Sequence, residues 1–192
     1  MADYRNGKRV IIISGPAGSG KTTTAMLIAR HENWTLISED EEWIRLKKGH
    51  PVGEMRTEEE QAIVQARTME RIYEELSRGN NVVIEFILYQ TPPQPVIFYR
   101  EELLRRDVAV ITRLLKPSED AIMERKIKRG RTHDQNEKVE RTHARNQLAC
   151  LESFYFPKDW IIDTTNDGEN EVFDKHFRKL VDADFDFVWT SL

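Results

Sequence analysis

Short apolar runs alternate along this chain with longer stretches in which apolar residues recur every three or four positions. The runs predict strands buried on both faces, and the longer stretches predict amphipathic helices. Strands are predicted over residues 9–14, 34–38, 81–87, 108–114 and 160–163. Helices are predicted over residues 21–31, 57–78, 96–106, 118–129, 138–154 and 169–181.

This alternation predicts an α/β fold, a five-stranded parallel sheet with helices on both faces. The length of 192 residues suits a single domain over residues 1–192 and is short for a TIM barrel, which needs about 250. Ligands of such sheets bind at the carboxyl ends of the strands. We therefore expect Ser14, Ser38, Glu85 and Asp163 to lie along one edge of the sheet.

Composition narrows the class of protein. The formal charge is −4, which disfavours a general nucleic-acid binder because such proteins carry a basic excess. The single cysteine excludes an internal disulfide and a cysteine-based zinc cluster. The longest apolar runs are far shorter than the roughly 18 residues of a membrane span. We expect a soluble cytoplasmic protein, monomeric or homodimeric, with no membrane partner.

One glycine-rich segment carries specific chemistry. Residues 15–22 read GPAGSGKT and match the phosphate-binding pattern G-x-x-x-x-G-K-[ST], between a predicted strand and a predicted helix. Glycines let the backbone N–H groups turn toward phosphate oxygens, Lys21 reaches the β- and γ-phosphates, and the Thr22 hydroxyl holds Mg²⁺. The sequence therefore predicts ATP and Mg²⁺ as cofactors. The predicted nucleotide contacts in this segment are Gly15, Pro16, Ala17, Gly18, Ser19, Gly20, Lys21, Thr22 and Thr23.

With this loop, the chain resembles the small P-loop kinases, a group that includes gluconate kinase, shikimate kinase, chloramphenicol phosphotransferase and adenylate kinase. The likeness is closest to gluconate kinase, and it also rests on LKKGHP at 46–51, RTH at 131–133, NQLACLE at 146–152 and WIIDTTN at 160–166. The resemblance implies a P-loop NTPase fold like that of the nucleoside monophosphate kinases, with a small helical lid within residues 125–147. It also implies that Thr165 and Asn166 flank the adenine.

Two carboxylates are candidates for the chemistry. A kinase of this kind needs a carboxylate beside the acceptor hydroxyl, and the resemblance implies that role for Asp40, after the second strand. The alternative is a capping box made by Ser38 and Glu41. Glu85 lies within an apolar strand, where a charge needs a partner, and a Mg²⁺ shell would supply one. The alternative for Glu85 is a buried ion pair with a lysine or arginine.

A basic cluster follows the fourth strand, with five cations among residues 124–131. Because the resemblance implies a lid here, Arg129 is predicted to be catalytic, and Arg125 and Arg131 are predicted to bind the triphosphate. Arg125 and Arg129 are four positions apart and so share one helix face. The alternative is an ordinary solvated helix face.

The residues that would bind the phosphoryl acceptor have two interpretations. The basic residues that follow Asp40 suit an anionic or hydroxyl-rich acceptor, or they form i,i+4 pairs such as Glu41 with Arg45. These basic residues are Arg45, Lys47, Lys48, His50 and Arg56. Tyr89, Phe98 and Tyr99 either line an acceptor pocket or belong to the core. The segment over residues 88–95 does not match the substrate motif of gluconate kinase.

The predicted function is transfer of the γ-phosphoryl group of Mg·ATP to a hydroxyl of a small metabolite. Two alternatives stay open at this point. One is a kinase of nucleosides, nucleotides or polynucleotide 5′-hydroxyl ends, which the acidic balance makes the weaker choice. The other is a regulator that binds ATP and phosphorylates nothing.

Overall fold

The computed structural model describes residues 7–47, 57–89, 91–130 and 136–182. Within these ranges five parallel strands form one sheet in the order β2-β3-β1-β4-β5. The strands are β1 Arg9–Gly15, β2 Trp34–Ser38, β3 Asn81–Ile87, β4 Ala109–Lys116 and β5 Ile161–Asp163. The helices are α1 Lys21–Ile28, α2 Glu39–Leu46, α3 Glu58–Ser77, α4 Gln94–Leu104, α5 Glu119–Arg129, α6 Glu137–Leu151, α7 Glu169–His176 and α8 Arg178–Asp182.

The apolar core lies on both faces of the sheet, as the continuous apolar strands predict. Val10 and Ile12 of β1 face a cluster shared with α3, α4 and α6, while Ile11 and Ile13 face a second cluster shared with α1, α7 and α8. All four side chains are fully buried, and each such burial contributes roughly 1.5–3 kcal/mol. The predicted fold class is therefore confirmed. None of the helices in the described ranges has the length and hydrophobicity that crossing a bilayer requires.

Several predicted boundaries differ from the structure by one to three residues, and three of the differences have a clear local reason. The fifth strand begins at Ile161, because Trp160 ends a short 3₁₀ helix over Lys158–Trp160. The last predicted helix is divided into α7 and α8 at Phe177, whose φ of −125° leaves helical geometry while its side chain is fully buried. The first helix ends at Ile28, three residues earlier than predicted, because the chain turns and Asn33 takes a φ of 63° before β2.

Strand order and register bring the predicted residues to one edge of the sheet. The neighbours of β1 are β3 and β4, and Glu85 of β3 pairs in register with Ile13 on one side and with Ser38 of β2 on the other. The loop after Gly15 therefore starts beside the ends of β2 and β3. Asp163 ends β5 at the same edge, opposite Lys116.

Helices α5 and α6 are joined by a buried ion pair. The Lys126 side chain is 1% exposed, and its Nζ lies 2.6 Å from Glu140 Oε2. Nearer the start of α5, Glu119 accepts hydrogen bonds from Arg141 and Arg145 of α6. Part of the basic cluster is therefore structural, and it ties together the two helices that flank residues 131–135.

We predict that Glu140→Leu destabilises the protein, because it leaves the Lys126 ammonium buried without its countercharge. The free energy of unfolding in a denaturant titration should fall by about 3–5 kcal/mol, and adding Lys126→Met should recover most of the loss. Glu137→Leu is the matched control, since Glu137 makes an exposed pair with Arg141 on the same helix, and it should cost about 1 kcal/mol or less. Equal losses for the two single variants would contradict the prediction.

Candidate active site

The phosphate loop is held close to its neighbours by glycines. Gly15 has a φ of +147°, and a Cβ added there would lie 2.5 Å from the carbonyl oxygen of Leu115 in β4. Gly20 precedes α1 with a φ of 94°, a conformation that glycine adopts without a steric cost. The loop thus leads directly into the N-terminus of α1, where backbone N–H groups and the helix dipole favour an anion.

Lys21 is the first residue of α1, and its side chain is 5% exposed. Its Nζ donates a hydrogen bond to the carbonyl oxygen of Pro16 at 2.8 Å. Burial lowers the pKa of Lys21, the carboxylates of Glu85 and Asp40 act in the opposite direction, and Arg129 lowers it further. The ammonium therefore lies in a desolvated position within electrostatic reach of two carboxylates, where phosphate groups would add countercharge.

Glu85 is 2% exposed and receives two hydroxyl hydrogen bonds. Ser38 Oγ donates to its Oε1 at 2.5 Å, and Thr22 Oγ1 donates to its Oε2 at 3.3 Å. Burial raises the pKa of Glu85, while Lys21 and the Ser38 hydrogen bond lower it. A carboxylate and hydroxyl oxygens are the hard donors that Mg²⁺ prefers, so Thr22 and Glu85 together fit the predicted metal site.

The capping-box interpretation of residues 38–41 is wrong. Ser38 does precede α2 at the N-cap position, but its side chain accepts no hydrogen bond from the helix backbone and instead donates to Glu85. Asp40, in the first turn of α2, is partly exposed. It lies near enough to raise the pKa of both Lys21 and Glu85. Asp40 therefore belongs to the same group of charges as the phosphate loop.

The two predicted lid arginines of α5 have different surroundings. Arg129 ends the helix, is exposed, and lies within electrostatic reach of Lys21. Arg125 donates to the backbone oxygens of Thr164 at 2.6 Å, Asp167 at 3.2 Å and Ser19 at 3.4 Å. Arg125 thus fastens the loop after β5, which was expected on the adenine side, to the phosphate loop. The third predicted arginine, Arg131, lies outside the described residues.

On the acceptor side, the cations that the structure describes are paired with carboxylates. Arg45 lies 3.6 Å from Glu41 and also bonds Glu42, so the predicted i,i+4 pairing is present. Lys47 Nζ lies 3.0 Å from Glu60 Oε1. The other predicted cations, Lys48, His50 and Arg56, lie outside the described residues.

A buried polar network next to Asp40 was not predicted. Glu39 is fully buried, and its Oε1 accepts hydrogen bonds from Tyr99 Oη at 2.8 Å and from Gln61 Nε2 at 3.2 Å. Tyr89 in turn donates to Gln61 Oε1. Burial and the neighbouring Glu39 raise the pKa of Tyr99 well above its usual value. Tyr99 is therefore a core residue, and the partly buried Phe98 packs edge to face against it. Tyr89 is partly exposed.

No sequence signal indicates this network, because its members are far apart in the chain and meet only in the fold. The same holds for Gln147, whose Oε1 accepts a hydrogen bond from the Ala17 N–H at 2.8 Å. One signal for Gln147 does exist. It lies on the same face of α6 as the buried residues Ala144 and Leu151, where the helical pattern leads us to expect an apolar side chain.

Solved structures with this fold include one resistance protein and two small-molecule kinases. The tunicamycin resistance protein of Deinococcus radiodurans aligns with a TM-score of 0.62 and 21% identity, over 87% of this chain and 92% of that one. A sugar kinase from Janibacter sp. gives 0.57 and 20%, over 87% and 91%. A gluconokinase from Sinorhizobium meliloti gives 0.55 and 19%, over 88% and 89%. At these identities the likeness shows the fold.

Comparison with curated proteins gives no match. A family model described as an AAA domain, AAA_33, matches residues 10–154. This range runs from β1 through the phosphate loop, Asp40, Glu85 and the α5–α6 pair. The match covers more than half of the chain and agrees with the strand order and the loop geometry. The chain therefore belongs to the AAA_33 family of P-loop, kinase-like AAA domains.

Proposed function

We propose that this protein is a kinase that transfers the γ-phosphoryl group of Mg·ATP to a hydroxyl group of a small molecule. The observation that carries the proposal is the convergence of three charged groups at one edge of the sheet. Glu85 and Asp40 both raise the pKa of Lys21, Lys21 and Asp40 both act on the pKa of Glu85, and the hydroxyls of Ser38 and Thr22 bond Glu85. Desolvated groups of opposite charge in one place are typical of functional sites.

In this proposal the nucleotide binds through its phosphates. The N–H groups of the phosphate loop and the N-terminus of α1 hold the β-phosphate, and the Lys21 ammonium bridges the β- and γ-phosphates. Thr22 and Glu85 would hold Mg²⁺, which would supply positive charge to the phosphate oxygens. Arg129, at the end of α5, adds a further positive charge as the transferring group loses its bond to ADP.

Asp40 is the proposed base. Its carboxylate accepts the proton of the acceptor hydroxyl, the hydroxyl oxygen forms the new bond to the γ-phosphorus, and the bond from that phosphorus to the bridging oxygen breaks. The bridging oxygen leaves with its electron pair on ADP, and the proton stays on Asp40 until product release. A carboxylate in this role typically contributes about 10²–10⁴-fold to the rate.

A hydroxyl-rich acceptor fits the described surroundings of Asp40. The neighbouring cations Arg45 and Lys47 are already paired with carboxylates. Tyr89 and Gln61 instead offer neutral donors and acceptors at the partly exposed end of the network on Glu39. Such groups bind hydroxyls by hydrogen bonding and do not demand an anion. Two of the structures with this fold, a sugar kinase and a gluconokinase, act on acceptors rich in hydroxyls.

We predict that one class of acceptor raises ADP release from Mg·ATP well above the slow reaction with water. The panel comprises sugars, sugar acids, nucleosides, hydroxylated antibiotics and an oligonucleotide with a 5′-hydroxyl end. Lys21→Ala serves as the blank, because it removes the cation that reaches the phosphates. Stimulation by a sugar or sugar acid is the expected result. Stimulation by the oligonucleotide alone, or ATP binding without stimulation by any acceptor, would contradict the proposal.

We predict that Asp40→Asn lowers kcat about 100-fold or more with the acceptor so identified, because the amide cannot take the proton. The affinity for ATP should stay within about twofold, since Asp40 makes no proposed contact with the nucleotide. Glu41→Gln is the matched control, because Glu41 is the next residue of α2, is exposed, and pairs with Arg45 and Arg71. Unchanged turnover in Asp40→Asn would show that another group takes the proton.

A further inference from the structure

Gln147 contacts the phosphate loop from a helix more than a hundred residues away in the chain. It lies on α6, and its Oε1 accepts a hydrogen bond from the backbone N–H of Ala17 at 2.8 Å. An N–H group can only donate, so the hydrogen bond itself fixes the orientation of the side-chain amide. The Gln147 side chain therefore replaces water or ligand as the partner of one loop N–H.

The same peptide group is bonded on its other side by Lys21. The carbonyl of Pro16 and the N–H of Ala17 belong to one peptide unit, and this carbonyl accepts the hydrogen bond from Lys21 Nζ at 2.8 Å. In a trans peptide the carbonyl and the N–H point in opposite directions, and the group turns as a rigid plane. The Pro16 carbonyl also accepts a hydrogen bond from the Ser19 N–H at 3.1 Å. Turning this peptide would therefore break the bonds to Lys21, Ser19 and Gln147 together.

Gln147 lies on the face of α6 that packs toward the rest of the protein. Ala144, Cys150 and Leu151 are the buried residues of this helix, and Gln147 lies on their face. Gln147 itself is partly buried, and its hydrogen bond to the loop supplies the partner that a polar side chain on this face needs. The loop also touches the other helix of the pair, since the Lys126 Cγ is 3.3 Å from where a Cβ on Gly18 would lie.

We propose that Gln147 is a positioning residue for Lys21. It holds the Pro16–Ala17 peptide in the orientation that points the Pro16 carbonyl at the lysine, and so keeps the ammonium aimed at the β- and γ-phosphates. This inference rests on the proposed function, because it assumes that Lys21 binds those phosphates. It adds a residue of α6, outside the phosphate-loop motif, to the groups that determine phosphate affinity.

The test is a double-mutant cycle on ATP affinity. The wild type, Gln147→Met, Lys21→Ala and the double variant are titrated calorimetrically with Mg·ATP. Methionine matches glutamine in length and helix propensity but accepts no comparable hydrogen bond. Gln147→Met should weaken ATP binding roughly fivefold in the wild-type background, the usual effect of one such bond. In the Lys21→Ala background its effect should be less than about twofold, because coupled residues do not add.

Two controls separate positioning from a general loss of structure. Asn146→Met changes an exposed neighbour on α6 and should leave ATP affinity as in the wild type, and thermal unfolding checks that each variant is folded. AMP is the matched ligand, since it lacks the phosphates that Lys21 reaches, and its affinity should not change in Gln147→Met. The comparison of AMP with ATP affinity in Gln147→Met tests the positioning role even where Lys21→Ala binds ATP too weakly to titrate.

Three results would overturn the inference and leave the proposed function in place. The first is unchanged ATP affinity in Gln147→Met. The second is an equal loss in both backgrounds, which would mean that Gln147 acts independently of Lys21. The third is an equal loss for AMP and ATP, which would indicate a purely structural role. Failure of the wild type to bind ATP would overturn the proposed function and this inference with it, so the two failures are distinguishable.

Discussion

A buried ammonium and a buried carboxylate at the carboxyl edge of the sheet determine how the rest of the site is built. Lys21 and Glu85 are both almost fully buried, and each shifts the pKa of the other in the direction that favours its charged form. Burying either charge alone would be costly, and each charge offsets part of the desolvation cost of the other. Ser38 and Thr22 add hydroxyl hydrogen bonds to Glu85, which ties the ends of β2 and β3 to the first turn of α1.

This constraint explains several local departures from simple rules. Ser38 is at the N-cap position of α2 but makes no capping hydrogen bond, and its hydroxyl donates to Glu85 instead. Gly15 approaches the backbone of β4 so closely that no side chain fits, which lets the loop start directly at the sheet edge. One feature leaves a helix without its side-chain cap and the other restricts a position to glycine, and both keep the charged groups together. Such local conflicts are expected where a structure serves chemistry as well as stability.

The basic cluster of residues 124–131 shows how one charge pattern serves three purposes. Lys126 is buried in an ion pair with Glu140, Arg125 bonds three backbone carbonyls, and Arg129 stays exposed near Lys21. In the sequence these cations form one contiguous basic segment, and nothing distinguishes their separate roles. Successive residues of an α-helix are rotated by about 100° around its axis. These side chains therefore face different neighbours and have different roles.

The sequence by itself determined the sheet, its two covered faces and the phosphate loop, because these depend on local periodicity and on one contiguous motif. The apolar strand around Glu85 also indicated that its charge needs a partner, while Asp40 and the arginines of α5 were indicated by the resemblance to the small P-loop kinases. Only the tertiary structure decided which groups meet: Ser38 with Glu85, Glu39 with Tyr99 and Gln61, and Gln147 with Ala17. Those contacts join distant segments whose pairing is fixed by the packing of helices on the sheet, and no local pattern in the chain encodes that packing.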